Sequence, residues 1–594
     1  MPRKMSAEKP KNAKNAAFQL LRALKPWRVS VIFACIFAAG STALAIFGPS
    51  VLGNITTDAV NSLVNSPDHQ IDWVPVVGSV ITLVILYVIS ALFSYLENYL
   101  IGRVTAKLGQ DLRSKILDKI SRLPVSYFDK HQFGDTLSRM ANDVDAVTES
   151  LQNSLSEAIS NIVMLVGTLA MMIIISPLLS LISIITIPLS LIFVARSAKI
   201  AQKHFRSQQD ILGKLNSNIE ESYSGSLVIK TNSHESASIA EFDKVNKTLY
   251  EAGWKAQFFG SLPFPITHIF TNLGYIAVCI IGGFQVIARA VTIGNIQAFV
   301  QYVNQFNRPI TSLAQIASTV QLTLAASERV FNFLKEPEET PDHEPARTIE
   351  KVEGKVDFHH VNFSYVEDKP VIKNFSATVW PGNRVALVGP TGAGKTTVVN
   401  LLMRFYDPTS GYITIDGTPI AEMKRADVRA LFGMVLQDTW LFSGTIEENL
   451  KYGNESATHE DIIKACKECY VDHIIQGLPK GYKTKISEDS DNISAGEKQL
   501  LTIARAMIAN PPMLILDEAT SNVDTRTEQL IQDAMNKLTK GRTSFVIAHR
   551  LSTIRDSDLI LVMRDGNIVE QGTHESLLRE NGFYAELYNS QFKN

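Results

Sequence analysis

A nine-residue segment combines three glycines, a lysine and three threonines at spacings suited to holding phosphate. In chain order it contains Gly389, Pro390, Thr391, Gly392, Ala393, Gly394, Lys395, Thr396 and Thr397. Glycines let the backbone curl so that successive N–H groups face one anion, and a helix that begins there adds positive potential. Lys395 can reach terminal phosphates, and the hydroxyl of Thr396 can ligate Mg²⁺. An apolar run at 385–388 and a helical pattern at 398–405 complete a strand–loop–helix unit, which predicts a nucleoside triphosphate site.

Two adjacent acids end the apolar segment that begins at Met513. Asp517, at the carboxyl end of such a strand, would hold Mg²⁺ directly or through water. Glu518 would orient or deprotonate the attacking water. A strand-end acid pair can also cap the next helix, but its combination with the phosphate loop favours nucleotide hydrolysis.

Three further residues are candidates for the same site. Gln437 ends a strand-like segment and could ligate Mg²⁺ or place the water. His549 ends another apolar segment, so it would emerge at the same sheet edge and could contact the γ-phosphate. Tyr365 lies 24 residues before the first loop glycine. It could stack on an adenine ring, although strand tyrosines more often serve packing.

Six apolar segments precede this half of the chain, and each approaches or exceeds the roughly 20 residues that cross a bilayer. We place the predicted spans at 29–52, 74–99, 159–175, 178–195, 262–284 and 293–320. Amide side chains interrupt the sixth, namely Gln297, Gln301, Asn304, Gln305 and Asn307. Such groups either line a translocation path or hydrogen-bond a neighbouring helix, and the sequence leaves both alternatives open.

Basic residues predict the orientation of these spans. The segment 53–73 contains no lysine or arginine, whereas 102–155 and 196–258 contain many. The positive-inside rule therefore puts both termini, these two stretches and the nucleotide-binding half in the cytoplasm. Helical register continues through both stretches, which predicts two long hairpins with turns near 124–129 and 221–225. About 22 residues at 1.5 Å each project roughly 33 Å.

The fold class expected is a polytopic α-helical membrane domain followed by an α/β P-loop ATPase domain. Residues 1–27 are predicted to form a cytoplasmic tail and an amphipathic interfacial helix, and 28–325 the six-span domain. Residues 326–352 are predicted to form a linker, and residues 353–594 the nucleotide-binding domain. The net charge of −2 and the lack of a basic stripe argue against a nucleic-acid partner.

This order of motifs resembles an ABC transporter half-molecule of the exporter type, which fuses one membrane domain to one ATPase domain. The resemblance implies ATP and Mg²⁺ as cofactors, with Mg²⁺ held by Thr396, Gln437 and Asp517. It also implies turns near Tyr127 and Tyr223 that act as coupling helices. The implied motifs are the A-loop at Tyr365, Walker A at Gly389–Thr397, the Q-loop at Gln437, Walker B at Met513–Asp517, the catalytic Glu518, the D-loop at Ser521–Asp524 and the switch histidine His549.

The signature segment departs from the family pattern L-S-G-G-Q. Here it contains Ile493, Ser494, Ala495, Gly496 and Glu497. In the family, two ATPase domains close head to tail, so each signature meets the phosphate held by the other chain. The alanine adds a methyl group where backbone passes close to phosphate, and the glutamate puts a negative charge towards a negative ligand.

A weakened signature beside an intact Glu518 resembles one subunit of the bacterial heterodimeric multidrug exporters. The expected partner is a different half-transporter with a degenerate Walker B and an intact signature, while a homodimer is the alternative. The expected function is ATP-driven export of hydrophobic or amphipathic compounds, drugs among them, across the plasma membrane by alternating access. Export or flipping of lipids or hydrophobic peptides is the alternative. The lipid bilayer and a small hydrophobic substrate are the other expected partners.

Overall fold

The structure is a computed structural model that describes residues 10, 12–65, 71–131, 133–436, 439–487, 493–517, 524–548 and 551–592. The chain divides into two compact units. One consists of residues 1–121 and 133–336, and the other of residues 122–132 and 337–594. A short segment inside the first hairpin therefore belongs to the unit that carries the nucleotide motifs.

Long helices build the first unit. In chain order the helices up to residue 334 are α1 (Ala13–Ala23), α2 (Arg28–Asn65), α3 (Trp73–Arg122), α4 (Val125–Lys130), α5 (Phe133–Ser138), α6 (Val144–Ile175), α7 (Pro177–Ser224), α8 (Ser226–Thr231), α9 (Glu235–Ser261), α10 (Pro263–Ile287) and α11 (Ile293–Leu334). Helix α4 belongs to the second unit. A 3₁₀ turn at Lys25–Trp27 joins α1 to α2, and a π-helical turn at Arg139–Asp143 joins α5 to α6.

Within the described residues, four helical stretches are long and apolar enough to cross a membrane: Lys25–Val64, Trp73–Arg122, Thr136–Ile175 and Glu235–Ile287. They contain the first, second, third and fifth predicted spans. The fourth and sixth predicted spans lie in α7 and α11, so their crossing and the count of six stay predictions. The helices α3 and α7 run on well past their apolar segments, as the helical register predicted.

Helix α2 is longer than its apolar run, because residues 53–65, which follow the first predicted span, continue the helix. Tertiary packing against α11 accounts for this extension. A methyl group added to Gly294 would lie 1.7 Å from the carbonyl oxygen of Gly53, so the two backbones are in direct contact. One turn further, the hydroxyl of Thr57 donates to that of Thr292 at 3.1 Å.

Two of the amides in α11 serve helix–helix contacts. The hydroxyl of Thr56 donates to the side-chain oxygen of Gln297. The amide nitrogen of Asn307 donates to the hydroxyl of Thr271 at 3.4 Å. The side-chain oxygen of Gln305 is buried without a hydrogen-bond partner. For Gln297 and Asn307, the structure therefore favours interhelical hydrogen bonding.

An ion pair fixes α11 to the π-helical turn. The guanidinium of Arg329 donates from Nε and from a terminal nitrogen to the two carboxylate oxygens of Asp143, at 2.9 and 2.6 Å. The aspartate side chain is only 4% exposed, whereas the arginine side chain is 33% exposed. Such a two-point geometry is the strong form of an arginine–carboxylate contact.

The second unit is an α/β structure. Its strands are β1 (Val356–Val366), β2 (Lys369–Val379), β3 (Arg384–Val388), β4 (Ser410–Ile415), β5 (Thr418–Pro419), β6 (Phe432–Val435), β7 (Gly444–Thr445), β8 (Lys485–Ile486), β9 (Met513–Asp517), β10 (Thr543–Ile547), β11 (Leu559–Arg564) and β12 (Asn567–Gly572). Its remaining helices are α12 (Lys395–Leu402), α13 (Arg425–Ala430), α14 (Ile446–Lys451), α15 (His459–Glu468), α16 (Asp472–Gly477), α17 (Ala495–Ala509), α18 (Thr525–Thr539), α19 (Leu551–Arg555), α20 (His574–Glu580) and α21 (Phe583–Phe592).

Three sheets organise these strands. The central sheet has the order β12-β11-β3-β10-β9-β6, in which every neighbouring pair is parallel except β11 with β12. A four-stranded antiparallel sheet has the order β2-β1-β4-β5, and β7 pairs with β8. The fully buried apolar runs of β3, β9 and β10 are typical of strands covered on both faces. The fold class is thus the predicted one, a helical membrane part and an α/β ATPase part.

We predict that Gly294→Ala destabilises the membrane unit, because the added methyl group has no space against the backbone of Gly53. Overpacking of this kind costs about 1–3 kcal/mol. Thermal unfolding of the detergent-solubilised protein should begin several degrees lower. Gly283→Ala is the matched control, since a methyl group there meets no heavy atom within 4 Å. Equal unfolding temperatures for the two variants would contradict this account.

Candidate nucleotide-binding site

The phosphate-loop segment connects β3 to α12 at the carboxyl edge of the central sheet. Two of its glycines lie where a side chain would collide with neighbouring atoms. A methyl group on Gly389 would lie 2.3 Å from the carbonyl oxygen of Met563 in β11. Gly394 has a φ of +102° and its added methyl group would lie 2.7 Å from Ile372. Because Gly394 is also the N-cap of α12, the loop ends at a helix N-terminus.

Lys395 is the first residue of α12, and its side chain folds back over the loop. Its ammonium donates to the carbonyl oxygens of Gly389 at 2.7 Å and Pro390 at 3.1 Å. Burial lowers the pKa of Lys395, and the carboxylate of Asp517 opposes that shift. A positive charge is thus held inside the loop, close to the acid that ends β9. The next residue, Thr396, is exposed, so its hydroxyl is accessible to a ligand or metal ion.

The sheet register aligns the ends of the strands that carry the other candidates. Ile547, the last residue of β10, is paired with Asp517 on one side and with Leu387 of β3 on the other. On the far side of β9, Val435 of β6 pairs with Leu516. The residues Gln437, Glu518, Ser521, Asn522, Val523 and His549 lie outside the described residues. Their assigned roles remain predictions.

Tyr365 lies near the end of β1 and contacts α12. Its hydroxyl donates to the hydroxyl of Thr397 at 3.2 Å and accepts from the amide nitrogen of Asn400 at 3.2 Å. Its ring meets those of Phe363 and Tyr406 edge to face, with centroids 4.8 and 5.0 Å apart. The structure therefore fixes this half-buried ring beside the helix that follows the phosphate loop.

In the signature segment, Glu497 makes hydrogen bonds within its own helix start. Its carboxylate accepts from the backbone N–H of Ser494 at 2.7 Å, and its own N–H donates to the serine hydroxyl at 3.4 Å. This reciprocal arrangement is a capping box at the start of α17. The acid turns back onto its own helix, so its charge has a structural role that needs no nucleotide. Ala495 is exposed and Gly496 is buried.

Asp524, the described residue of the predicted D-loop, is the N-cap of α18. Its carboxylate accepts from the backbone N–H groups of Arg526 and Thr527, both at 3.0 Å. Hydrogen bonds from Thr527 are the main cause that lowers its pKa, so this exposed group is a carboxylate at neutral pH.

The two predicted coupling turns differ in their surroundings. Tyr127, in α4, is 6% exposed. The neighbouring Asp129 accepts a hydrogen bond from the hydroxyl of Tyr406, which follows α12. At the second turn, by contrast, Tyr223 is 83% exposed and Leu227 is 74% exposed. Sequence reasoning missed Asn400 and Tyr406, because only the folded contact shows that they touch residues of the site.

Comparison with known families covers both units. Residues 31–310 match a family model described as "ABC transporter transmembrane region", and residues 372–521 match one described as "ABC transporter". Among curated relatives, the "Fatty acid ABC transporter ATP-binding/permease protein" of Mycobacterium bovis is 47% identical over 534 residues, which is 90% of this chain and 84% of that protein.

Two further relatives carry other names. The "ATP-dependent lipid A-core flippase" of Syntrophus aciditrophicus is 32% identical over 583 residues, 97% of this chain and 94% of that protein. The "Probable multidrug resistance ABC transporter ATP-binding/permease protein YheH" of Bacillus subtilis is 34% identical over 526 residues, 87% of this chain and 78% of that protein.

These matches agree with the two units and with the phosphate loop at the sheet edge. The protein is a membrane protein that binds ATP and couples its hydrolysis to export. A half-transporter of this type works as a dimer, with a second copy or with another half-transporter. The chain belongs to the ABC transporter family, as an exporter-type half-transporter that fuses a transmembrane region to an ATPase domain.

Proposed function

We propose that this protein exports hydrophobic or amphipathic compounds, drugs among them, across the plasma membrane by alternating access. The supporting observation is Lys395, which is held inside the phosphate loop. The described part of the same chain also contains four apolar helical stretches long enough to cross a membrane. In this proposal both termini and the ATPase domain lie in the cytoplasm. ATP binding closes two ATPase domains, and hydrolysis resets them.

The described residues fit a nucleoside triphosphate with Mg²⁺. Backbone N–H groups of the loop and the buried ammonium of Lys395 would hold the phosphates. The exposed hydroxyl of Thr396 and the carboxylate of Asp517 would ligate the metal, with Gln437. Bound ATP would supply the phosphoanhydride bond whose hydrolysis drives transport, and Mg²⁺ would neutralise charge on its phosphates. Tyr365 would contact the adenine.

Two predicted catalytic residues complete the proposed site. Glu518 follows the strand-end carboxylate in the chain and would activate the attacking water. His549 follows β10, the strand between those of the loop and the acid, and would sense the γ-phosphate.

A lipid-like substrate is the second candidate function. It is favoured by the relative at 47% identity, which is named a fatty acid transporter, and by the relative named a lipid A-core flippase. Drugs and lipids share an apolar body and a polar end, so one apolar path could accept either. Inside-out vesicles that contain the protein distinguish them. ATP-dependent uptake of a cationic fluorescent dye supports the drug, and uptake of a fluorescent fatty acid supports the lipid.

We also propose that the partner is a different half-transporter, with a degenerate Walker B and an intact signature. The capping box holds the carboxylate of Glu497 at its own helix start, so Ala495 is the main support for this argument. A methyl group at that position would narrow the space that the family pattern reserves for a partner's phosphate. A homodimer is the alternative, and the activity of the chain alone decides between them.

Lys395→Ala should weaken ATP binding about 10- to 100-fold, since a hydrogen bond to a charged group contributes about 1.5–3 kcal/mol. Equilibrium binding of a fluorescent ATP analogue in detergent measures the loss. Lys369→Ala is the control, because that lysine is exposed at the start of β2 in the same unit. Unchanged affinity in the Lys395 variant, with its unfolding temperature preserved, would contradict the placement of the phosphates.

Glu518→Gln should keep ATP binding and lower hydrolysis about 10²- to 10⁴-fold, the usual contribution of a general base. Steady-state phosphate release and ATP occupancy should be measured on the same preparation. Glu575→Gln changes an exposed acid in the first turn of α20 and should leave both quantities unchanged. Normal phosphate release from the Glu518 variant would remove this residue from the proposed mechanism, provided that the partner site is also inactivated.

The chain expressed alone should hydrolyse ATP slowly, whereas the double variant Ala495→Gly, Glu497→Gln should be several-fold faster. Glutamine preserves the capping-box pattern, so the helix start remains stable. The ATPase rate per chain of purified wild-type and double-variant protein in nanodiscs gives the comparison. Rapid, substrate-stimulated hydrolysis by the wild-type chain alone, with no gain in the double variant, would establish the homodimer instead.

A further inference from the structure

Two segments that connect the halves of the chain meet at one short loop of the ATPase unit. This loop, Arg404–Asp407, follows α12 and is called the junction loop here. One attached segment is residues 122–132, at the tip of the first hairpin. The other is the part of the predicted linker from Pro337 onwards. The two segments also touch each other, because the N–H of Glu339 donates to the carbonyl oxygen of Arg122 at 3.0 Å.

The linker is attached by buried arginines. Arg404, whose side chain is 5% exposed, forms an ion pair with Asp342 of the linker at 3.6 Å and donates to Asp407 at 3.1 Å. Arg425 donates to the same aspartate at 2.8 Å and to the linker carbonyl of Thr340 at 2.6 Å. The main chain of the junction loop is therefore held on both sides of residue 406.

The hairpin tip is attached by Tyr406 itself. Its hydroxyl donates to the carboxylate of Asp129, which is exposed, while the phenol ring is only half-buried. A tyrosine that served packing alone would not need this contact. Removing the hydroxyl leaves the carboxylate in contact with water, so the cost in folding stability should be small.

The same ring contacts the nucleotide site. Tyr406 lies edge to face with Tyr365, at 5.0 Å between centroids and an interplanar angle of 88°. The hydroxyl of Tyr365 is bonded to Thr397 and Asn400, in the helix that the phosphate loop begins. An unbroken series of contacts thus runs from α12 through two tyrosines to the hairpin tip.

We propose that Tyr406 is a positioning residue, which couples nucleotide binding to the membrane domain by joining Tyr365 to Asp129. The proposal rests on the proposed function and assigns the coupling to one hydroxyl. A shift of the Tyr365 ring on nucleotide binding would move the Tyr406 ring against it, and the hydroxyl would carry that displacement to the hairpin tip. Arg404 and Arg425 would keep the ends of the junction loop fixed during this movement.

The test uses Tyr406→Phe, which keeps the ring, and Asp129→Ala, which removes the acceptor. The full chain is assembled in nanodiscs with the half-transporter that completes its dimer. Hydrogen exchange of residues 101–121 and 133–155 is compared with and without ATP and orthovanadate. Tyr412→Phe is the matched control, because that tyrosine is exposed on β4 and stacks on His359.

We expect both variants to bind ATP within twofold of the wild type and to lose at least half of the nucleotide-induced change in hairpin exchange. The double variant should lose no more than either single variant, since the two groups form one contact. A full hairpin response in Tyr406→Phe, additive losses in the double variant, or a loss of ATP affinity that matches the loss of response would overturn the proposal.

Failure of the proposed function gives a different result. If wild-type hairpins show no response to ATP while the ATPase unit does, the transport mechanism itself is wrong. If the wild type responds and Tyr406→Phe responds equally, only the tyrosine contact is excluded. Unfolding temperatures within about 2 °C of the wild type separate a coupling defect from a folding defect.

Discussion

The tight passage of the phosphate loop past β11 is the constraint on which the nucleotide site depends. Gly389 lies so close to the carbonyl of Met563 that no side chain fits between them. The loop therefore takes its shape from a neighbouring strand as well as from its own glycines. Since β3 lies between β11 and β10 and β9 follows, the same strand order brings Asp517 near Lys395. The strand order of the sheet therefore determines both the shape of the phosphate loop and the acid that lies near the Lys395 ammonium.

Local patterns explain how much could be predicted. A strand–loop–helix unit and a strand-end acid each depend on a few consecutive residues. The ATPase fold could therefore be predicted from the sequence, and so could the placement of Lys395 at a helix start and Asp517 at a strand end. The apolar composition of the first, second, third and fifth spans was equally local. The extension of α2 to Asn65 could not be foreseen, because it depends on the contact of Gly53 with Gly294, 241 positions away.

The signature segment contains a second pattern besides the one that carries the family resemblance. Ser494 and Glu497 have the spacing of a capping box, and that pattern was present in the sequence. Comparison with L-S-G-G-Q predicts a charge near a partner's phosphate, and the structure adds that this carboxylate accepts a hydrogen bond at its own helix start. The contact of Tyr406 with Asp129 is a different case. It joins residues 277 positions apart, and no periodicity or motif contains it.

The two hairpin tips differ in how much of their surface is buried. At the first tip Tyr127 is buried and Asp129 has a partner, so this chain satisfies that contact by itself. At the second tip Tyr223, Leu227 and Val228 are 83, 74 and 64% exposed. These residues lie well beyond the apolar run of α7. Covering such side chains would stabilise that tip by about 25 cal/mol for each Å² of apolar surface removed from water. The first tip is thus held by contacts within its own unit, whereas the second leaves large apolar side chains exposed.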